Sequence, residues 1–552
     1  MTQSSGTTFT RRAALAGTAV VVAGAGAFAF KSRSSRGFTL STADNKTLNR
    51  GNGAEPDTLD PHKALSQWEY NIIGDMFIGL MTEDAAGNPT FGAAESYAPS
   101  ADGLTYTFKI RDHRWSDGVP VTAHDFVYAF RRVGDPKFAA QYVSIMYPIK
   151  NMEAAASGKV PVDQIGVRAI DDRTLQIQFH FQVPYIAQLL TCFTAFAVPK
   201  HAIEKYGDAW LQPQNIVVNG PYTLKEWRPN DHIELVKNPN FYDAANVKIE
   251  RVFYYPTPDA EAALKRMRGG EFDLLDDTLP PQKIDWLREN MSKELRIAPF
   301  INTRYIQFNT RHKPFDDVRV RMALSLAVNR EILCSKVERA GEQPAYALIP
   351  PGMQDYPAKA QLGFRNTPMA ARIAKAKQLL AEAGFGPNNP LAFDYAMIMN
   401  TETKLVSVAL QEMWRQIGVA VRFVPSDSQI HYAKLGRHDF DVAWAGWVAD
   451  YRDPKNYLYI FQSSAANMNW GNYNDPKYDA LVAQSDNERD PHVRAQLLQQ
   501  AEQTLLDNVA IAPVYFGVTR DLVSPQVKGW VDNSVNFHRS RWLSLDRKAA
   551  MV

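Results

Sequence analysis

Phe440–Leu458 reads FDVAWAGWVADYRDPKNYL. In its first half Phe440, Val442, Trp444 and Gly446 alternate with Asp441, Ala443 and Ala445, which is the period of a strand. Its second half turns polar and aromatic, with Asp450, Tyr451, Asp453 and Pro454. Trp444, Trp447 and the Asp450 carboxylate therefore stand where a buried strand surfaces. Such a place suits a ligand with an apolar body and a cationic end. Composition also admits tryptophans that only pack the core and an Asp450 that only caps the next turn.

The flanking sequence, from about 301 to 518, is regular. The pattern predicts one long helix over Asp317–Val337, a helix over Ala370–Ala383 closed by Gly384, and a strand over Leu391–Met399. A helix over Thr401–Ile417, capped by Thr401 and ended by Gly418, and a strand over Val419–Val424 lead to Phe440–Gly446. Helices alternating with strands make an open α/β sheet, and such sheets bind ligands at the carboxyl ends of their strands. The part before it is less regular. Helices are predicted over Trp68–Met81, Thr122–Val133 (Thr122 as cap, Asp125 three residues on) and Asp259–Arg268. Strands are predicted over Leu104–Arg111, Arg173–Phe181, Ile233–Val236 and Val252–Tyr255. The irregular mixture up to Phe181 reads as an inserted α+β domain.

The first 36 residues stand apart. Arg11 and Arg12 precede an uncharged Ala/Val/Gly run, Ala13–Phe30, followed by Lys31, Arg33 and Arg36. That order is an export signal of the twin-arginine type, and the length of the run leaves an uncleaved membrane anchor open. These residues hold five Lys/Arg and no Asp/Glu, so the +2 of the whole chain becomes −3 for the rest. A slightly acidic body argues against nucleic-acid binding, which needs a basic face. Cys192 and Cys334 are the only cysteines, and two buried thiols are expected rather than a disulfide. The mature length exceeds what one core supports, so two or three domains are expected. No metal-ligand spacing, Walker-A loop or nucleophile elbow occurs. Neither a catalytic residue, a metal nor a cofactor is assigned.

Several stretches together resemble one family. They are LDPH at Leu59–His62, RDHRWSDGVPVTAHDFVYAFRR at Arg111–Arg132, NIVVNGPYTLKEW at Asn215–Trp227, PFDDVRVRMALSLAVNRE at Pro314–Glu331, AKQLLAEAGF at Ala376–Phe385 and AGWVADYRDPKNYL at Ala445–Leu458. The family is the periplasmic oligopeptide-binding type of extracellular solute-binding proteins, family 5, which serve ABC importers. The resemblance implies a class II, two-lobed periplasmic binding protein fold of the α/β class, with an extra inserted α+β domain and a ligand cleft between the lobes. Carried over, lobe I takes residues 37–77, 202–300 and 519–552, the extra domain 78–201, and lobe II 301–518.

The resemblance also implies how a ligand is held. A short peptide would lie extended, bonded through its main chain to Ser66, Gln67 and Trp68 and to Gly446, Trp447 and Val448, a form of strand addition. Asp450 would meet its α-ammonium, Tyr142 would line the cleft, Trp447 would wall a side-chain pocket, and Tyr515 would lie nearby. Oligopeptide binders often carry an arginine three residues before this tryptophan, near the ligand's carboxyl end, where this chain has Trp444. A pocket tryptophan is replaced near Ser428, and cysteines that some members bridge appear as Asn302 and Val448. The implied partners are a peptide and a membrane permease, for a monomer in the periplasm. A muropeptide or other solute, or an exported peptide hydrolase or holder, are the alternatives.

Overall fold

Eleven strands, two of them only two residues long, assemble into one sheet. In chain order they are β1 (Thr47–Gly51), β2 (Tyr222–Arg228), β3 (His232–Lys237), β4 (Arg251–Tyr255), β5 (Leu274–Leu275), β6 (Leu295–Phe308), β7 (Gln343–Pro344), β8 (Ala392–Ile398), β9 (Ala420–Ser426), β10 (Val442–Val448) and β11 (Ile511–Val523). Across the sheet the order is β9-β8-β10-β6-β11-β5-β1-β4-β3-β2, with β7 on β11. The computed structural model describes residues 44–547 except 277–278, 354 and 466–467. The expected leader lies outside the described residues. Among them no helix is long and apolar enough to cross a membrane.

β6 and β11 are the long members. They pair antiparallel from Leu295↔Leu522 to Gln307↔Ile511, with the register slipping between Pro299 and Thr303. One end of this pair serves the strands before it in the chain, and the other end those after. On the far side β8 lies parallel between β9 and β10. Alternation along β6 and β10 puts Ile306, Phe308, Val442 and Trp444 into one core and Ile301, Tyr305, Ala443 and Ala445 into another, on the sheet's opposite face. A third core joins β1–β4 to the segment 78–201, which carries its own four-stranded antiparallel sheet over Ala94–Pro99, Thr105–Ile110, Val167–Asp171 and Thr174–Gln178.

The helix ends show where local chemistry decides. Ala123–Val133 begins with the expected capping box: Thr122 N and Oγ1 both donate to the Asp125 carboxylate, at 2.8 and 3.1 Å. Asp259 caps Ala260–Arg268, and Gly384 takes the positive φ (89°) that ends Met369–Glu382. The long helix expected over Asp317–Val337 is instead broken. Val318–Ala327 stops at an extended Val328, and Asn329 caps a new start by accepting from Ile332 N. The break lets Arg330 turn inward, where its guanidinium donates to the carbonyls of Ala345, Pro513, Ser325 and Val328. Asn400, not Thr401, caps Thr401–Arg415: Thr401 is already helical, and the Asn400 amide oxygen accepts from Thr403 N at 2.8 Å. Cys192 and Cys334 are both free thiols and buried.

Buried charge ties the segments together. Arg132, at the end of its helix, donates to both oxygens of Asp60 (3.0 and 2.6 Å) and meets His62 Nδ1 at 3.0 Å. Burial and the neighbouring Arg132 push the His62 pKa down to about 4. Arg539 is likewise buried, 3.2 Å from Glu83 and 2.9 Å from Tyr70 O.

Candidate functional site

Where β10 reaches its carboxyl end, one face of the sheet stops being core and becomes the floor of a cavity of about 390 Å³. Register explains the change. Trp444 lies opposite Ile306, Gly446 opposite Arg304, and Val448 opposite Asn302. The first pair packs inward, with the Trp444 ring 5.9 Å from that of Tyr515. Arg304, Asn302 and Val448, further along the same face, line the cavity with Tyr515 and Gly517 of β11. The opposite wall comes from Leu65, Ser66 and Gln67 at the start of helix Gln67–Met76, and from Tyr142, Cys192 and Phe193 of the segment 78–201. Phe300 and Phe537 add apolar surface.

Asp450 sits at one end. Tyr142 donates its hydroxyl to Oδ1. Asn456 donates Nδ2 to Oδ2 at 3.0 Å and accepts on Oδ1 from Asp450 N (3.2 Å) and Trp447 Nε1 (2.8 Å). Burial raises the Asp450 pKa, and the bonds from Tyr142 and Asn456 offset part of that rise. Among the described residues no cation pairs with this carboxylate.

The other end holds Arg304, Glu342, Glu402 and Arg520. The Arg304 side chain lies across Gly446: a Cβ at that glycine would stand 2.7 Å from Arg304 Cδ and 2.8 Å from Nη1. Gly446 is thus the residue that lets the guanidinium pass over the strand. Beside it Tyr515 donates to Glu338 Oε1 at 3.1 Å. Asn302 is buried and its Oδ1 has no partner, an acceptor that a ligand N–H would satisfy.

β8 pairs with β10 only at Val442 and Ala443. Beyond them the β10 edge away from β6 has no strand neighbour. His431 Nε2 meets Trp444 O at 2.9 Å, and Gly446 and Val448 continue past it. A strand edge therefore runs beside a cavity with an unpaired acid at one end, an arrangement suited to an extended chain with a cationic start.

Comparison with known proteins places this architecture. Residues 88–469 match the family described as bacterial extracellular solute-binding proteins, family 5 Middle. The chain belongs to this family. It is 38% identical over 492 residues to the periplasmic oligopeptide-binding protein OppA of Salmonella typhimurium, covering 88% of this chain and 90% of that one. The crystal structure of Haemophilus influenzae OppA in complex with RPPGFSPFR matches with a TM-score of 0.80 at 32% identity, over 91% of this chain and 99% of that one. The Escherichia coli murein tripeptide binding protein MppA matches with a TM-score of 0.82 at 31% identity, over the same shares. The family fold is the two-lobed α/β fold expected from the sequence.

Of the residues singled out in the sequence, Asp450, Val448, Tyr142, Ser66, Gln67 and Tyr515 meet around the cavity. Four do not line it. Trp444 is 3% exposed and belongs to the core, because its strand position faces Ile306 and Tyr515. Trp447 points to the other face and steadies Asn456 rather than walling a pocket. Gly446 lies under Arg304, and Trp68 lies off the cavity on its helix. Sequence reasoning missed Arg304, Glu402, Arg520 and Asn456. Only Asn456 carried a local signal, six residues beyond Asp450 in the same motif. The others come together through strand register and loops distant in sequence.

One grouping with metal-ligand spacing exists among the described residues: Glu226, His232 and Glu234, with ligand atoms within 4.8 Å of one another. It lies on the β2–β3 hairpin. Arg228 stands 2.7 Å from Glu226 and Arg251 2.8 Å from Glu234, so its carboxylates are already answered by arginines.

Proposed function

We propose that this protein captures short peptides in the cavity beside β10 and hands them to the permease of an ABC importer. The observation that carries the reading is Asp450: a half-buried carboxylate with no cation among the described residues, fixed by Tyr142 and Asn456 at the end of the cavity. The α-ammonium of a peptide supplies the missing charge. The unpaired β10 edge and the Asn302 acceptor supply main-chain partners common to all peptides, so affinity needs little side-chain choice. The relatives, an oligopeptide-binding protein and a murein tripeptide-binding protein, agree with a peptide ligand. Entry requires the halves to part about the β6–β11 pair and close again, a hinge motion. The protein does no chemistry, acts in the periplasm after export through residues 1–36, and works as a monomer.

Thermal unfolding of the purified protein with peptides of two to five residues, and with their N-acetylated forms, tests the reading. Binding to the native state at 100 times Kd adds about 2.7 kcal/mol. Stabilisation by free peptides that acetylation abolishes supports Asp450 as the ammonium partner. Equal stabilisation by acetylated peptides points to a blocked ligand, such as a muropeptide, and no shift with any peptide discards the assignment. Peptide recovered shortened after incubation would revive a hydrolase.

A further inference from the structure

The cavity carries an uncompensated charge at each end. Asp450 is one. Arg304 is the other: among the described residues its guanidinium makes no hydrogen bond and no ion pair, although it lines the cavity. Its charged neighbours are otherwise engaged. Arg520 stands 3.7 Å from Glu402. Glu342 accepts from Ala340 N and Gly341 N at 2.9 and 3.1 Å. Glu338 accepts from Tyr515, and burial with the nearby Glu402 and Glu342 pushes its pKa up to about 8, so it keeps its proton near neutral pH. Burial pulls the Arg304 pKa down, but Tyr515, Tyr432 and Glu402 hold it above the usual value, and the guanidinium stays charged.

Register bounds the distance between the two poles. Arg304 pairs with Gly446 and its side chain lies over that residue. Asp450 follows Gly446 by four positions, the last two beyond the end of β10, so the run spans at most about 13 Å. An extended peptide advances roughly 3.3–3.6 Å per residue, so about three to four residues bridge the poles.

We infer that Arg304 binds the C-terminal carboxylate of an extended peptide whose α-ammonium sits on Asp450, so that the two residues select zwitterionic ligands of about three to four residues. This rests on the peptide reading above. Trp444 cannot take this role, since its ring is enclosed by the core. Arg304 instead reaches the same edge from the neighbouring strand, across a glycine that any side chain would block.

Calorimetric titration with alanine-based peptides of two to six residues, each as free acid, C-terminal amide and N-acetyl derivative, tests the inference. The proteins compared are the wild type, Arg304→Met, Arg304→Lys and Gly446→Ala. In the wild type, affinity is expected to peak at three to four residues, and amidation to weaken it by about 30-fold or more. In Arg304→Met, acid and amide bind alike, while Arg304→Lys, which keeps the charge, restores part of the gap. Gly446→Ala keeps Arg304 but displaces it and narrows the gap. Equal binding of acid and amide by the wild type overturns the inference, as does a gap that survives in Arg304→Met. If acetylation abolishes binding and amidation does not, the peptide reading stands and this inference falls. If no peptide binds, both fall.

Discussion

Asp450→Asn removes a charge and almost no volume, and its two effects have opposite signs. In the empty protein, burial raises the Asp450 pKa above its ordinary 3.8. A carboxyl whose folded pKa is raised contributes stability below the unfolded pKa, and that contribution is lost as pH rises through the folded value. At pH 7 the wild type carries this loss and the Asn variant does not. The new amide keeps the local bonds: its oxygen accepts from Asn456 Nδ2, and its nitrogen donates to the Tyr142 hydroxyl, which can accept. The melting temperature of the empty variant is therefore expected to equal or exceed that of the wild type. Binding moves the other way. A ligand ammonium buried without its partner loses about 2–5 kcal/mol, roughly 30- to 4,000-fold in Kd. Titration with trialanine, alongside thermal unfolding without ligand, reads both quantities. Unchanged affinity would refute the ammonium assignment. Unchanged affinity with a lower melting temperature would show that Asp450 is only a cap for the turn it begins.

Three further outcomes follow from the buried charges. Arg132→Met leaves Asp60 ionised, buried and unpaired beside His62, and is expected to cost about 3–5 kcal/mol in urea denaturation; a cost below 1 kcal/mol would show that the pair is solvated in solution. Glu502 is buried, accepts from Leu348 N and Ile349 N, and has its pKa pushed up from 4.5 to about 7. Its contribution is present below pH 4.5 and lost as pH rises through 7, so Glu502→Gln should flatten a decline of up to about 3 kcal/mol between pH 5 and 8, and an unchanged slope would assign that decline elsewhere. At Gly74 a Cβ would fall 1.9 Å from Arg539 Nη1, so Gly74→Ala must displace a buried guanidinium paired with Glu83. A loss of at least 1–3 kcal/mol is expected, and a neutral result would mean that the helix Gln67–Met76 shifts to make room.

What the sequence disclosed, it disclosed locally. The capping box at Thr122 and Asp125 and the stop at Gly384 are read from neighbours within a turn, and the structure has both of them. The break at Val328 was hidden because the apolar period continues through it; the cause is Arg330, whose partners Ala345 and Pro513 are remote in sequence. The site divides in the same way. Asp450 and its strand were visible in one motif. Trp444 and Trp447 looked equivalent there, since alternation does not say which face of a two-faced sheet meets a cavity. Arg304 was invisible for a deeper reason: it matters only because Gly446 lies opposite, and that pairing joins positions 142 residues apart.

β11 is the last strand of the large sheet to leave the ribosome, yet it sits in the middle, against β6, β5 and β7. Until residues 511–523 are synthesised, the strands made earlier cannot be joined into one sheet, and β5 and β6 each keep an open edge. Consolidation must then wait for nearly the whole chain, a topology of long-range closure that folds slowly and exposes edges meanwhile. A nascent chain halted before Ile511 should stay protease-sensitive on both sides of β6 and associate with other chains, whereas one extended past Val523 should become protected in a single step. Protection of β1–β5 before β11 emerges would show that the first half matures alone.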